Sequence, residues 1–431
     1  MILTGPPDSS LSQLLRLRKD FLGYLLDAAR YGELVLLKPA PGARIVLVNS
    51  PALIEEILAQ RPEDFRKSYM THLMVRKFLG QGLVLAEGEP HHSARRQIQP
   101  AFHGARLARL APQIEEEAQK FLAAWPVDES RPLAAALSQL MMGVVARTLF
   151  GVDADDAAAP AMRQFAQSLA QRFRSIPWPE WLPIPRYARE RRAIAALDAA
   201  VATILARPVG DGDDLLSQLR APGAFNLREL RDHVVTLYFA GHETTAKLLG
   251  WTLWRLARHP DVKTRLQAEL AGLTQAAEAA APGRVPYLDA VLKEVLRLHP
   301  PAWVFDREPI TEIKLGGAVI PAGTTLYLSP YVLQRNPAVF TDPERFDPLR
   351  FFGDAPAPPR GAYFPFGFGP RNCIGRGFAE SSARILVAAL IGGLELPAPA
   401  PNEVTAEAGA TLGMRDALTL RRRVAEKPAA A

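Results

Sequence analysis

A mainly α-helical fold with a few short strands is what the sequence predicts, on three observations. Apolar residues recur at helical spacing over long stretches, the longest spanning 234–256. The strand candidates, Leu34–Leu37, 44–48, 314–320 and Thr325–Leu328, are short and are set off by Pro- and Gly-containing turns. Hydrophobic residues make up 48% of the 431 positions, enough for a large core and too many for a disordered chain.

In chain order, a helix is expected over 19–31, with Phe21, Leu22, Leu25 and Leu26 on its apolar side and Gly32 ending it. After the first two strands, Asn49-Ser50-Pro51 starts a helix running to about residue 59. In 88–96 Pro90 suits a helix start, and His91 and Arg95, four apart, share a face. That face is either a basic surface or an address for an anion. Residues 111–206 alternate helical stretches with polar breaks. Within them, 175–185 holds Trp178, Trp181 and a run of prolines that forbids a regular helix. Such a segment either folds back onto the protein or covers an apolar entrance.

Asn226 with Glu229 forms a capping-box pattern at the head of a long helix through Leu230, Val234, Leu237 and Leu248. Mid-helix lies Ala240-Gly241-His242-Glu243-Thr244-Thr245. Glycine there costs about 1 kcal/mol relative to alanine, and a threonine hydroxyl competes for backbone carbonyls. The stretch is either chance polar crowding or chemistry. A further amphipathic helix ends at Pro300 and carries Glu294 and Arg297 three apart, which on a surface would be an ordinary weak pair. Gly316-Gly317 and Pro321-Ala322-Gly323 turn the later strands, a long irregular passage leads to Phe366, and an apolar helix is expected over 375–391.

Charge narrows the function classes. Lys plus Arg number 51 against 45 Asp plus Glu, a net +6 that suits an acidic protein partner and does not mark a nucleic-acid binder. The first residues lack the basic and apolar regions of a secretory signal, and no uninterrupted apolar run reaches membrane-spanning length. No transmembrane anchor and a cytoplasmic location are therefore expected, with residues 1–10 a mobile leader and 424–431 a frayed tail.

The one cysteine, Cys373, excludes an intramolecular disulfide and any multi-cysteine cluster. It is either a buried structural thiol or an axial thiolate to haem iron. Its loop holds Gly367, Gly369 and Gly375, a cation, Arg371, able to hold a carboxylate-bearing cofactor, and a helix start just beyond, favourable to a thiolate.

Phe366, Gly369, Arg371, Cys373 and Gly375 stand at the spacings of the haem-ligand loop of the cytochrome P450 family, which the chain resembles over most of its length. The resemblance implies one P450 domain over 1–431: mainly α with a small β-rich lobe, haem b (iron protoporphyrin IX) lying between the long central helix and the cysteine loop with its proximal helix. It makes Cys373 the iron ligand and brings Phe366 and Gly241 against the cofactor. His91, at the family's tryptophan-or-histidine position, and Arg95 become propionate partners, Pro100-Ala101-Phe102 fixing the register. Arg307 and Arg371 join them. The central-helix stretch matches the family's consensus, Glu243 and Thr244 being the catalytic acid–alcohol pair. Glu294 and Arg297 become an internal pair completed by Arg350, chosen over Arg345; Leu349 stands where the family usually has glutamate.

Function is implied likewise: a haem-thiolate monooxygenase inserting one atom of O2 into a hydrophobic lipid, terpenoid, carotenoid or macrolide-like substrate by hydroxylation or epoxidation. Pocket candidates are Tyr69, Leu73, Phe78 and Leu79, then Phe165, Leu169 and Phe173. Leu237 and Ala240 of the long helix, Ala302 and Val304 after Pro300, and Leu412 and Met414 complete them. About 40 residues follow the last apolar helix, too few for a flavin or iron–sulfur module, so a separate ferredoxin or flavodoxin with its reductase is expected, docking near Arg95, Arg96, Arg106 and Arg109. The alternatives are a peroxide-driven peroxygenase and a non-catalytic haem-binding sensor or carrier.

Overall fold

The structure is a computed structural model that describes residues 3–40, 42–127, 129–152, 158–173, 175, 181–207, 215–221, 223–395, 404–415 and 418–422. Its axis is the helix Leu227–Arg258, 32 residues and so about 48 Å long. The helix starts as the sequence predicts. Asn226 Oδ1 accepts from the N–H groups of Arg228 and Glu229, each at 3.0 Å, and the Glu229 carboxylate accepts from Asn226 N at 2.9 Å.

Leu133–Phe150, Pro286–Leu298 and Arg376–Leu390 pack against this helix. Leu133–Phe150 is mostly apolar, and by length and composition alone it would suffice to cross a membrane. Here Leu137, Met141, Val144 and Val145 are fully buried in the helical core, while Gln139 is exposed and Arg147 pairs with Glu116 and Glu117.

The small β-rich lobe gathers strands from both ends of the chain. One sheet runs in the order Leu34–Leu37, Ile45–Val48, Thr325–Leu328, Phe305–Pro309, Phe65–Arg66. Leu34 pairs with Val48 and Phe305 with Leu328 in antiparallel register, whereas Ile45 lies parallel to Thr325. The strand expected over 314–320 is a hairpin of Ile313–Leu315 and Ala318–Ile320. Gly316 and Gly317 turn it at φ 54° and 76°, a conformation few other residues adopt. Leu34, Val46, Leu326, Leu328 and Phe364 form the core of this lobe.

Two amino-terminal expectations change. Asp20 breaks the helix expected over 19–31: its extended backbone separates Ser10–Lys19 from Phe21–Ala28, and its carboxylate caps the second helix through Gly23 N at 3.0 Å. The leader contacts the lobe, because Thr4 bridges to Val35 and accepts from Leu36 N at 2.8 Å. The helix beginning at Pro51 continues past Glu55 as a π-turn, Glu56–Gln60. Residues 424–431 lie outside the described residues. So do 176–180 of the Trp/Pro-rich segment, whose Trp181 is 80% exposed.

Candidate active site

The cysteine loop is bent at two glycines of positive φ. Gly367 and Gly369 have φ 73° and 68°, and a Cβ on Gly369 would lie 1.9 Å from the Leu58 carbonyl oxygen. The π-turn supplies that carbonyl, so the lobe and the loop are fitted backbone to backbone. Phe366 O accepts from Cys373 N at 2.8 Å, closing the loop, and the Arg376 guanidinium lies 5.5 Å from the Phe366 ring centroid. Cys373 is solvent-accessible, yet surrounding atoms push its thiol pKa up; a Gly375 backbone hydrogen bond and the Arg95 and Arg376 charges oppose that rise. A thiol at the base of a recess, with cations beside it, becomes a thiolate when a metal ion supplies the missing positive charge.

Lys67, His91, Arg307 and Arg371 converge electrostatically. Burial and then the charges of Arg307 and Arg371 lower the pKa of Lys67 to about 7. Burial, followed by Arg371, Lys67 and Arg95, lowers His91 to about 3. Burial, with Arg371, lowers Arg307. Countercharge is scarce. Glu87 pairs with Arg371, whose Nη1 also donates to Ala86 O at 2.5 Å, while the Asp306 carboxylate accepts from the hydroxyls of Ser68 and Thr71. Strand alternation explains the split. Asp306 and Glu308 tie down 66–71, Glu308 accepting from Arg66 Nε at 2.7 Å and Tyr69 N at 3.2 Å, while Phe305 and Arg307 take the opposite face. His91 Nδ1 is buried with no hydrogen-bond partner among the described residues. This cationic excess and orphaned nitrogen fit the two carboxylates of haem.

Lys67 was missed from the sequence, where it stands alone between a strand and a helix start. It yields a prediction with a definite sign. Bound carboxylates raise its pKa, so haem affinity is flat below about pH 7, where Lys67 is charged in both states, and falls as pH rises above that value. Haem titration of the apoprotein by fluorescence quenching checks this, and Lys67→Met removes the alkaline decline.

Arg95 is placed differently from His91. Its guanidinium grips the cysteine loop, Nη1 to Asn372 O at 2.7 Å and Nη2 to Asn372 Oδ1 at 2.6 Å. Of the expected docking arginines, Arg96 and Arg109 are exposed, but Arg106 is only 6% exposed and faces inward from the helix Gly104–Ala123. Arg106 is thereby removed from the docking face.

In the long helix, Thr244 Oγ1 donates to Ala240 O at 2.6 Å. Glu243 pairs with Lys247 at 3.4 Å and accepts from Thr411 Oγ1 at 3.2 Å. The space a Cβ would fill at Gly241 is bounded by Val145, 3.2 Å away. The smallness of the glycine therefore also serves close packing against Leu133–Phe150.

The three residues of the expected triad lie together. Arg297 and Glu294 are fully buried, joined by two bonds of 2.7 and 2.8 Å. Arg350 Nε lies 3.6 Å from Glu294. Arg345 is exposed and contributes only its carbonyl, which accepts from Arg297 at 3.1 Å.

Among the pocket candidates, Phe78 and Phe165 stack edge-to-face at 5.4 Å and Phe165 meets Phe239 at 5.6 Å. Leu79, Leu169 and Leu237 are buried nearby in the same helical core. Tyr69, Leu73 and Phe173 are exposed, and Ala240, Ala302, Val304 and Met414 are half-buried. Leu412 is wholly enclosed with Leu22, Leu25 and Trp303, so it anchors its hairpin rather than lining open space.

Residues 24–407 match the cytochrome P450 family. Cyclooctat-9-en-7-ol 5-monooxygenase of Streptomyces melanosporofaciens is 33% identical over 86% of this chain and 83% of its own length. Pentalenene oxygenase of Streptomyces avermitilis is 30% identical over 86% of this chain and 85% of its own. Among solved structures, CYP175A1 of Thermus thermophilus superposes with a TM-score of 0.80 at 29% identity, covering 98% of this chain and 100% of that one. A cytochrome P450DA heme domain shares the fold with a TM-score of 0.87 at 24% identity, over 99% of this chain and 98% of that one.

Proposed function

The chain belongs to the cytochrome P450 family and is a haem-thiolate monooxygenase of hydrophobic substrates, and from that premise we propose that its substrate is a cyclic, largely hydrocarbon molecule of the terpenoid kind. The observation that carries the proposal is the aromatic run Phe78, Phe165, Phe239. Its last member, half-buried Phe239, carries the run onto the long helix four residues before Glu243, so the packing beside the acid–alcohol pair offers shape and dispersion. Two similar proteins support it, because their names describe an alkene and a cyclic alkenol.

Bound haem b supplies the activation of O2 and the one-electron chemistry. Cys373 would hold its iron, Phe366 closing the loop that presents the sulfur. Lys67, His91, Arg307 and Arg371 neutralise its carboxylates, and Arg95 holds Asn372 beside the thiolate. Glu243 and Thr244 hold and move protons on the side facing substrate. Glu294, Arg297 and Arg350 fix the fold and touch no reacting atom. Electrons come from a separate ferredoxin or flavodoxin with its reductase, drawn to exposed Arg96 and Arg109, with the enzyme working in the cytosol.

The test adds cyclic terpene hydrocarbons and alcohols to the purified ferric protein and reads the low-spin to high-spin Soret shift, followed by product analysis with O2, NADPH, ferredoxin and reductase. Saturable shifts and an oxygenated product are expected. Shifts confined to fatty acids or macrolides overturn the substrate class, and turnover with H2O2 but not with reduced ferredoxin restores the peroxygenase reading.

A further inference from the structure

We infer that the corner where the helices Tyr69–Leu79, Ala158–Phe173 and Pro185–Ala206 meet is a docking surface for an anionic lipid bilayer. Its apolar and aromatic side chains enter the interface, and its arginines engage the headgroups.

The three helices are joined from within. Arg172 of the second helix is 7% exposed and donates to Glu190 Oε2 of the third at 2.9 Å and to Leu73 O of the first at 3.1 Å. Lys77 Nζ adds a contact of 3.7 Å with Glu190 and lies 5.5 Å from the Tyr187 ring centroid. These inner bonds bring the outward-facing residues of all three helices to one corner.

What faces out is apolar. Tyr69 is 71% exposed, and Leu73, one turn on and on the same face, is exposed with it. Met70 and Phe173 are exposed too, and Trp181 stands 80% clear of the protein four residues before Pro185. Single exposed apolar residues are ordinary, but a gathering of large ones marks an interaction site. Tryptophan and tyrosine suit a membrane interface, with an apolar body and one polar tip.

The charge beside them has one sign. Arg189, Arg191 and Arg192 are exposed on the first turns of Pro185–Ala206. The three helices carry two carboxylates between them, and both are taken: Glu190 is buried against Arg172, and Asp198 pairs with Arg231 at 2.7 Å. Cations next to exposed aromatic rings are the composition of a surface that lies on anionic lipid. An acidic protein would need a preformed pocket for each exposed ring, whereas fluid acyl chains accept any shape.

The same helices hold Phe78 and Phe165, the first pair of the aromatic run. A hydrophobic substrate dissolved in the bilayer then reaches those rings without crossing water. Lipid contact is independent of the substrate reading; delivery of substrate from the bilayer rests on it.

The experiment sediments the purified holoenzyme with vesicles of phosphatidylcholine alone or of phosphatidylcholine and phosphatidylglycerol in equal parts. Binding to the anionic vesicles that weakens as salt rises is expected. Brominated acyl chains quench a fluorescence component that is missing in Trp181→Phe. The triple variant Arg189→Gln/Arg191→Gln/Arg192→Gln binds about 10²-fold more weakly, and Tyr69→Ser/Trp181→Ser about tenfold more weakly. All these positions are exposed, and unchanged circular dichroism confirms that each variant is folded. Arg96→Gln/Arg109→Gln, which removes charge from other helices, binds as wild type does. Absence of binding to anionic vesicles overturns the inference, as does equal loss in the Arg96/Arg109 variant, which would make net charge the cause. Capture of polyglutamate at this corner without vesicle binding makes the occupant an acidic protein and overturns it as well. No turnover is read, so failure here is separable from failure of the terpenoid assignment, which the spin-shift screen decides.

Discussion

Cys373→Ser retains its helical circular dichroism and loses the long-wavelength ferrous–CO band, with turnover down by about 10³-fold, or about 4 kcal/mol of transition-state stabilisation. Sulfur is soft and readily anionic, whereas a serine hydroxyl is hard and stays protonated, so the substitution removes electron donation to the iron without altering the backbone. The loop itself is held independently, by the Cys373 N bond to Phe366 O and by the Arg95 grip on Asn372. Haem is therefore retained in part by Lys67, His91, Arg307 and Arg371. An unchanged CO spectrum in the serine variant would remove Cys373 from the iron.

Glu294→Gln is expected to destabilise the protein by about 3–5 kcal/mol, because a buried cation is left without its anion. Arg297 has no exposed surface and donates to the carbonyls of Gln334, Pro343 and Arg345 as well as to Glu294. Those bonds hold its charge in place after the carboxylate is gone. Arg297→Lys fails to substitute, since an ammonium cannot serve a forked carboxylate and three carbonyls from one position. Urea unfolding followed by circular dichroism reads the change as a lower midpoint at unchanged slope. A midpoint within error of wild type would mean that the triad is energetically idle. Haem content of the purified variant falls with stability, and spectra of the loaded fraction stay thiolate-type because no triad member touches the cofactor.

The parts legible in the sequence are those whose signal is local. Asn226 and Glu229 are three apart and cap one helix; Glu294 and Arg297 are three apart and pair on one; the glycines of the cysteine loop stand beside the residue they serve. What escaped reading is what the fold brings together over distance. Thr411 reaches Glu243 across 168 positions and Arg95 reaches Asn372 across 277, and no periodicity announces either bond. Lys67 reads as one more surface lysine until Arg307 and Arg371 are seen beside it. Gly241 also packs against Val145, a demand on that position that its own helix does not announce. Arg106 illustrates the reverse error, since a basic residue in an arginine-rich stretch was placed outside although its helix face turns in.

The gathering of Lys67, Arg307 and Arg371 also bears on biosynthesis. A chain that has not yet acquired its pigment carries mutual repulsion at its own centre, and ligand binding to the folded form relieves it by mass action. Newly made copies lacking the prosthetic group are then the ones that open most readily and meet cellular proteases first. Pigment supply, through this one knot of like charge, sets how much of the protein accumulates.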